Sequence, residues 1–387
     1  MTSGSQLAHL DNFENANKIG PSKSFGAKFL ASTFGWLFGE FKRFQVFWIV
    51  FGFWVVATIA VSTAIGDPML PAVMKYALRI VRALILLASV LSLSVAISFL
   101  YMKDDSLSIT IARFRSYLGK NTAFFRILVA TVSFALFMGC FLFWKMRIPL
   151  IQPFVWDNTF ANWDEALLSG RAAYEVFLPL MFRPLVTQAI DFIYGFWAVI
   201  CALFWIGLYA WKSGSTHLRD TYWLATLFAW LIIGLFAATA FSSVGPVYYQ
   251  HFNPDIERFQ PLLAHLATYD VGHIPQETLW GETRGLAATT AHEYLWTIYQ
   301  GNAALPGGIS AMPSMHNAQA MIFVLAAFKI NRKLGYVMLA FLAVTFVGSV
   351  VLAWHYMVDA FIAYALVVPL WYLASWMAPS NPAKAMQ

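Results

Sequence analysis

The sequence predicts an all-α fold: a polytopic membrane bundle of about eight transmembrane helices. Three observations predict it. Hydrophobic residues make up 60% of the 387 and charged residues only 11%, whereas a soluble domain has about a quarter charged residues. Such a chain cannot cover a water-facing surface. About eight apolar runs come close to the roughly twenty residues needed to cross a bilayer core. The sixteen Trp and thirty-five Phe suit a lipid-facing protein with aromatic belts at its interfaces.

The runs lie near 46–65, 83–102, 124–144, 190–211, 221–243, 315–330, 335–353 and 356–376. In lipid each must satisfy its own backbone, which makes it a helix. Residues 1–45 carry no cleavable signal pattern. They read as a cytoplasmic or interfacial tail whose aromatic stretch "FGWLFGEFKRF" lies along the membrane surface. Residues 379–387 form a second tail. With the N-terminus inside, most of the twenty-five Lys and Arg fall on the inner side, as the positive-inside rule asks. The basic residues therefore point to membrane orientation and not to nucleic acid. The long connections 145–189 and 244–314 then lie outside, with the start of the sixth helix and the junction of the seventh and eighth. Long loops in a compact protein usually carry function, so the outer face is where chemistry is expected.

Other features have plainer readings. Cys140 and Cys201 sit inside apolar runs as small packing residues. In "MKYALRIVRAL", Lys75, Arg79 and Arg82 share one helical face. They suit snorkelling basic chains, with an anionic-lipid strip as the sharper alternative. "WDNTFANWDEALLSGR" reads as an interfacial lid with Asp157 and Asp164 as caps. His292 and Glu293 have no second ligand at metal spacing, and His251, His265 and His273 are loop residues.

The chemistry-bearing residues lie late in the chain. In "AWHYMVDAFIAY", His355 and Asp359 are four apart and share a helical face. A carboxylate on one imidazole nitrogen fixes the tautomer and leaves the other nitrogen free as base or nucleophile. By itself this spacing also fits a buried pair that pins a helix end. A second histidine changes the balance. In "ISAMPSMHNAQAM", Ser314 is placed to cap a helix whose first turn holds His316. Free N–H groups and the positive dipole end make that turn an anion site. Intramembrane ionisable groups are functional hypotheses by default. Two other classes stay open, a proton-relaying transporter or lipid-binding protein and a metal-dependent membrane hydrolase using the two histidines and the carboxylate.

"AMPSMH" followed by "WHYMVD" some forty residues later resembles the second and third motifs of the type 2 phosphatidic acid phosphatase (PAP2) superfamily. "GISAMPSMH" is similar to the branch containing the inositol phosphorylceramide synthases. "FSSVGPVYYQHF" resembles a segment of bacterial members of that branch. The resemblance implies a six-helix catalytic membrane domain over 121–378, with two additional helices in 46–120. It implies an enzyme of lipid (sphingolipid) metabolism in a bacterial cytoplasmic membrane, its site on the extracytoplasmic face. His355 is then the nucleophile that becomes phosphorylated, Asp359 its orienting partner and His316 the acid that protonates the leaving group. Ser314 is then a phosphate ligand. The substrate is a lipid phosphate or phospholipid, the acceptor water or a lipid hydroxyl, and no cofactor or metal is implied.

Three positions depart from the pattern. Met315 stands where the second motif has Gly, and Ser349 where the third has Arg. The first motif, Lys followed by Arg-Pro, is matched by "FRPL" with Val176 in place of Lys, which makes Arg183 a phosphate-binding candidate. With so few cations, Arg171, Arg258, Arg284 or the basic strip must help, or the substrate must carry less charge. A phosphodiester carries less than a monoester.

Overall fold

The computed structural model describes residues 35–74, 77–78, 123–210, 215–269, 276–278, 281–283, 285–302 and 307–379. Six helices within these residues are long and apolar enough to cross a membrane: Gln45–Ala64, Phe125–Ile151, Pro184–Ala210, Thr216–Ala240, Arg332–Val351 and Met357–Met377. A shorter apolar helix covers Met315–Ile330. Seven expected crossings thus coincide with apolar helices. The expected crossing at 83–102 lies outside the described residues, as do Lys75, Arg79, Arg82, His273 and Arg284. Strand is confined, among the described residues, to a hairpin of Gln276–Thr278 with Gly281–Thr283. The fold is an all-α polytopic bundle.

In chain order the helices used below are α1 (Gln45–Ala64), α2 (Ala123–Lys145), α3 (Asp157–Leu167), α4 (Ala173–Met181), α5 (Pro184–Gly195), α6 (Trp197–Ala210), α7 (Thr216–Leu231), α8 (Gln260–Ala267), α9 (Ala287–Tyr299), α10 (Met315–Ile330), α11 (Arg332–Val351) and α12 (Met357–Met377). The crossing expected from 190 starts earlier, at Pro184. Proline suits a first helical position, where its missing N–H is not needed.

α10 packs along α11 and α12, α7 along α12 and α10, and α6 along α2. Lipid is as apolar as leucine, so close packing and polar contacts must hold these helices together. Aromatic rings supply the packing. Trp205 stacks on Trp223 at 4.4 Å, and Phe137 lies 5.0 Å from Trp205. Gln319 of α10 supplies a polar link: it accepts from Trp230 Nε1 (2.8 Å) and donates to the Tyr222 hydroxyl (3.2 Å), both on α7.

The two ends of α7 differ in chemistry. At its start, Arg219 bonds Glu40 (3.0 Å) and Asp220 (2.8 Å), and Arg43 bonds both acids. This network ties the helical residues 35–43 to the bundle. At the far end the chain runs on through Ser242 and Ser243 into the region where the two histidine motifs meet.

Candidate active site

Ser314 is the N-cap of α10, and its hydroxyl accepts from the Asn317 amide N–H at 3.3 Å. The serine is fully buried. Its backbone N–H donates to the Asp359 carbonyl at 3.2 Å, which joins the start of α10 to the first turn of α12. The hydroxyl proton of Ser314 stays available, since the bonds it makes here are as acceptor. His316 follows in the first helical turn, where unpaired N–H groups favour an anion.

His355 lies in the short connection between α11 and α12. Ala353 takes a left-handed φ of 63° there, and the His355 N–H donates to Ser349 O at 2.9 Å. The His355 side chain meets Asp359 through Nδ1···Oδ2 at 3.0 Å. The same carboxylate oxygen accepts from the Tyr356 N–H at 3.2 Å, as the third residue of a capping box at the start of α12. Asp359 is fully buried. Burial, with the Lys145 charge adding to it, lowers the His355 imidazole to about 3, so the ring is neutral at physiological pH.

The two histidines converge although they are far apart in sequence. Their ring centroids are 6.0 Å apart. The His316 ring stacks against Tyr194 at 4.7 Å and lies 4.5 Å from Trp197. Trp197 Nε1 also donates to the His316 carbonyl at 3.0 Å. His316 is therefore held on its ring and on its backbone by the α5–α6 break.

Three further features were missed in the sequence. Lys145, the last residue of α2, is close enough that its charge acts on both imidazoles. Gly308 makes room for it: a Cβ there would lie 3.0 Å from the Lys145 carbonyl carbon and 3.1 Å from its Cγ. A sequence signal existed. Lys145 precedes Gln152-Pro153 by seven residues, the same spacing as Val176 to Arg183, with Gln where the first motif has Arg. The second feature is Asn317. Its amide donates to Ser314 Oγ (3.0 Å) and Ser349 Oγ (3.1 Å), and its carbonyl accepts from Tyr364 (2.7 Å). The place expected for a third-motif arginine is thus filled by a neutral, buried network. The third is the Tyr194–Trp197 grip on His316, which no residue pattern announced.

Arg183 stands apart. It is exposed at the N-cap of α5, eleven residues before Tyr194 and so about 16 Å along the helix at 1.5 Å per residue. Arg258 is bonded to Glu165 (2.9 Å) and Asn162 (2.7 Å), and Arg171 is exposed beside Glu175. None of these three is brought to the histidines by a bond.

The stretch expected as a lid is α3, and its two aspartates clasp other segments instead of capping α3 itself. Asp157 accepts from the Val244 and Gly245 N–H groups and from the Tyr356 hydroxyl, at 2.8–3.0 Å. Asp164 accepts from the Met357 and Val358 N–H groups at 2.8 and 2.9 Å, which closes the N-terminus of α12. Burial pushes the Asp164 carboxyl up to about 7, against the pull of those two bonds. This clasp fixes the three residues that follow His355.

His292 on α9 is buried against Trp354, ring centroids 4.2 Å apart. Burial lowers its imidazole to about 3. The unfolded chain binds that proton near 6.5 and the folded chain only near 3, so stability is full above 6.5 and lost as pH falls toward 3. Between pH 6.5 and 5 this one group is expected to cost about 2 kcal/mol. Melting of the detergent-solubilised protein across that range checks it: His292→Gln, neutral throughout, should show a shallower fall than the wild type. Equal slopes would refute the assignment.

Among the described residues, no group of three or more His, Cys, Asp and Glu side chains is arranged to hold a metal ion. No curated protein and no solved structure matches the chain. The model of the PAP2 superfamily matches residues 158–373, more than half of the sequence, and takes in both histidine motifs. A bundle of apolar helices, with its histidine motifs inside that match, places the chain in a family of phosphatase type: it is an integral membrane protein that belongs to the PAP2 superfamily.

Proposed function

We propose that the protein is a lipid phosphatase or phospho-head-group transferase that works through a phosphohistidine at His355. The observation that carries this reading is the 6.0 Å approach of the His316 and His355 rings, with Asp359 bonded to His355 Nδ1 at 3.0 Å. That gap suits one phosphorus atom and its oxygens. Asp359 holds the proton on Nδ1, so the Nε2 lone pair of His355 is free to attack phosphorus. As the P–N bond forms and the P–O bond breaks, His316 gives its proton to the leaving oxygen. The phosphate's own negative charge favours the protonated His316 it requires. In the second half-reaction His316 takes a proton from water or a lipid hydroxyl, whose oxygen displaces His355.

Phosphate binding falls to Ser314, the N-terminus of α10 and Lys145, with Lys145 taking the role expected of Arg183. A second cation at 4 Å would add about 4 kcal/mol at an effective dielectric of 20. The neutral residues Gln152 and Ser349 stand where that cation would be, so a singly charged phosphodiester suits the site better than a doubly charged monoester. This charge count and the "GISAMPSMH" wording favour the transferase side of the superfamily, with a phospholipid donor and a lipid hydroxyl, such as that of a ceramide, as acceptor. The distribution of Lys and Arg supports a site on the extracytoplasmic face, and the resemblance of "FSSVGPVYYQHF" to bacterial members supports a bacterial cytoplasmic membrane.

The test is turnover of lipid phosphodiesters and monoesters by the detergent-purified protein, with chelator present, for wild type and His355→Ala. Chelator-resistant turnover in the wild type alone supports the reading. No turnover in either protein favours a transporter or binding protein, and turnover that chelator stops favours a metal hydrolase. Lys145→Met is expected to lower kcat/KM by about 100-fold, as removal of one transition-state donor does, and Lys145→Arg to recover part of it. Unchanged kcat/KM in Lys145→Met would remove Lys145 from the site.

A further inference from the structure

We infer that Gly234 is a positioning residue for the phosphate-binding turn: the π-helical stretch around it forms a slot that seats Met315 and so sets the place of Ser314 and His316. The inference rests on the functional reading above. It begins from a difficulty in the sequence. Met315 stands between Ser314 and His316, where a glycine would leave the turn open, and a methionine there must put four heavy atoms somewhere. Turned toward the phosphate they would crowd it.

The crossing that starts with α7 answers the difficulty. It is α-helical to Leu231, becomes a π-helix over Ile232–Ala237, and returns to an α turn at Ala238–Ala240. Such a turn widens the helix by one residue and is frequent at functional sites. Gly234 lies buried within it. A Cβ added at Gly234 would lie 2.8 Å from Phe141 Cε2, 3.1 Å from Met315 Sδ and 3.2 Å from Met315 Cγ. Met315 therefore occupies the volume that any side chain at 234 would take, and Phe141 closes the slot from α2. An unbranched thioether fits such an irregular gap well.

The consequence reaches the chemistry through His316. One side of this residue is held by the rings of Tyr194 and Trp197 at 4.7 and 4.5 Å. On the other, the first turn of α10 is seated by Met315 in its slot. Filling the slot presses on Phe141 and Met315 together, and with Phe141 held in α2 it is Met315 that gives, moving the turn that carries both Ser314 and His316 while the ring grip resists. The register between His316 and His355 is then lost without any contact to substrate being removed.

Reciprocal size exchange tests this. Gly234→Ala is expected to lower kcat at least about tenfold with KM changed less than about threefold. The double variant Gly234→Ala, Met315→Gly should recover kcat to within about threefold of the wild type, because the Phe141 ring, which the added methyl group meets first at 2.8 Å, can then give way into the space Met315 leaves. The melting temperature of Gly234→Ala should fall and that of the double variant should rise again. Full activity in Gly234→Ala, or a double variant no more active than Gly234→Ala, would overturn the inference. A merely structural role predicts loss of activity only in step with loss of folded protein, so the same kcat per folded molecule in Gly234→Ala would overturn it too. If the wild type turned over no phosphate ester while the melting pattern held, the functional reading would fall and the matched pair would stand.

Discussion

His355→Gln is expected to abolish turnover, with a loss of roughly 10⁶ in kcat, as when a covalent nucleophile is removed. Glutamine cannot form the phosphoryl adduct. Its amide can still reach a neighbouring carboxylate, so the fold around α12 should hold. Acid-sensitive phosphate trapped on the protein during turnover should be present in the wild type and absent in His355→Gln. His316→Gln should behave differently: the leaving oxygen loses its acid, but a substrate with a good leaving group still phosphorylates His355. Trapped phosphate that survived in His355→Gln would assign the nucleophile elsewhere.

The second large effect is expected at Asp359. Asp359→Asn should lower kcat by about 10³ to 10⁴ with little change in KM, by analogy with the loss of an orienting carboxylate in a triad. The reason is the tautomer. The carboxylate accepts from His355 Nδ1 at 3.0 Å, which keeps the proton there and the lone pair on Nε2. An asparagine that turns its amide toward Nδ1 donates instead, and the proton moves to Nε2, where it blocks attack. The Tyr356 N–H bonds the same oxygen at 3.2 Å, so that turn also takes away its acceptor, and loss of this cap should cost about 1 kcal/mol of stability. A kcat within tenfold of the wild type would leave Asp359 as a simple helix cap.

Much of the fold was legible because lipid imposes a one-dimensional rule. A run of apolar residues near twenty in length has to be a helix. Seven expected crossings accordingly coincide with apolar helices, and α10, the shortest expected, is the shortest found. Boundaries were less legible where amphipathic helix runs into apolar helix. α5 starts at Pro184 with polar residues still on one face, so hydropathy alone placed the crossing several residues late.

The site was legible to the degree that its residues are local. His355 with Asp359, and Ser314 with His316, lie close together on single helix ends, where spacing states geometry. Lys145 was not read because it ends an apolar run, a place where a snorkelling or interfacial lysine is ordinary. Asp157 and Asp164 were expected to cap their own helix, yet they bond Val244, Gly245, Tyr356, Met357 and Val358 across the fold. Local rules for aspartate describe nearest neighbours, and these partners are up to 199 residues away.

Composition and hydropathy by themselves determined that this chain crosses a membrane as helices, because backbone satisfaction in lipid depends only on local sequence. The motifs determined which two helix ends carry imidazole. Only the tertiary structure decided that those ends meet at 6.0 Å, that Lys145 lies where its charge acts on both imidazoles, and that Gly234 makes the space Met315 requires. Each of those depends on which helices pack together and at what height, and packing in a bilayer is chosen by shape and a few polar contacts that no short stretch of sequence contains.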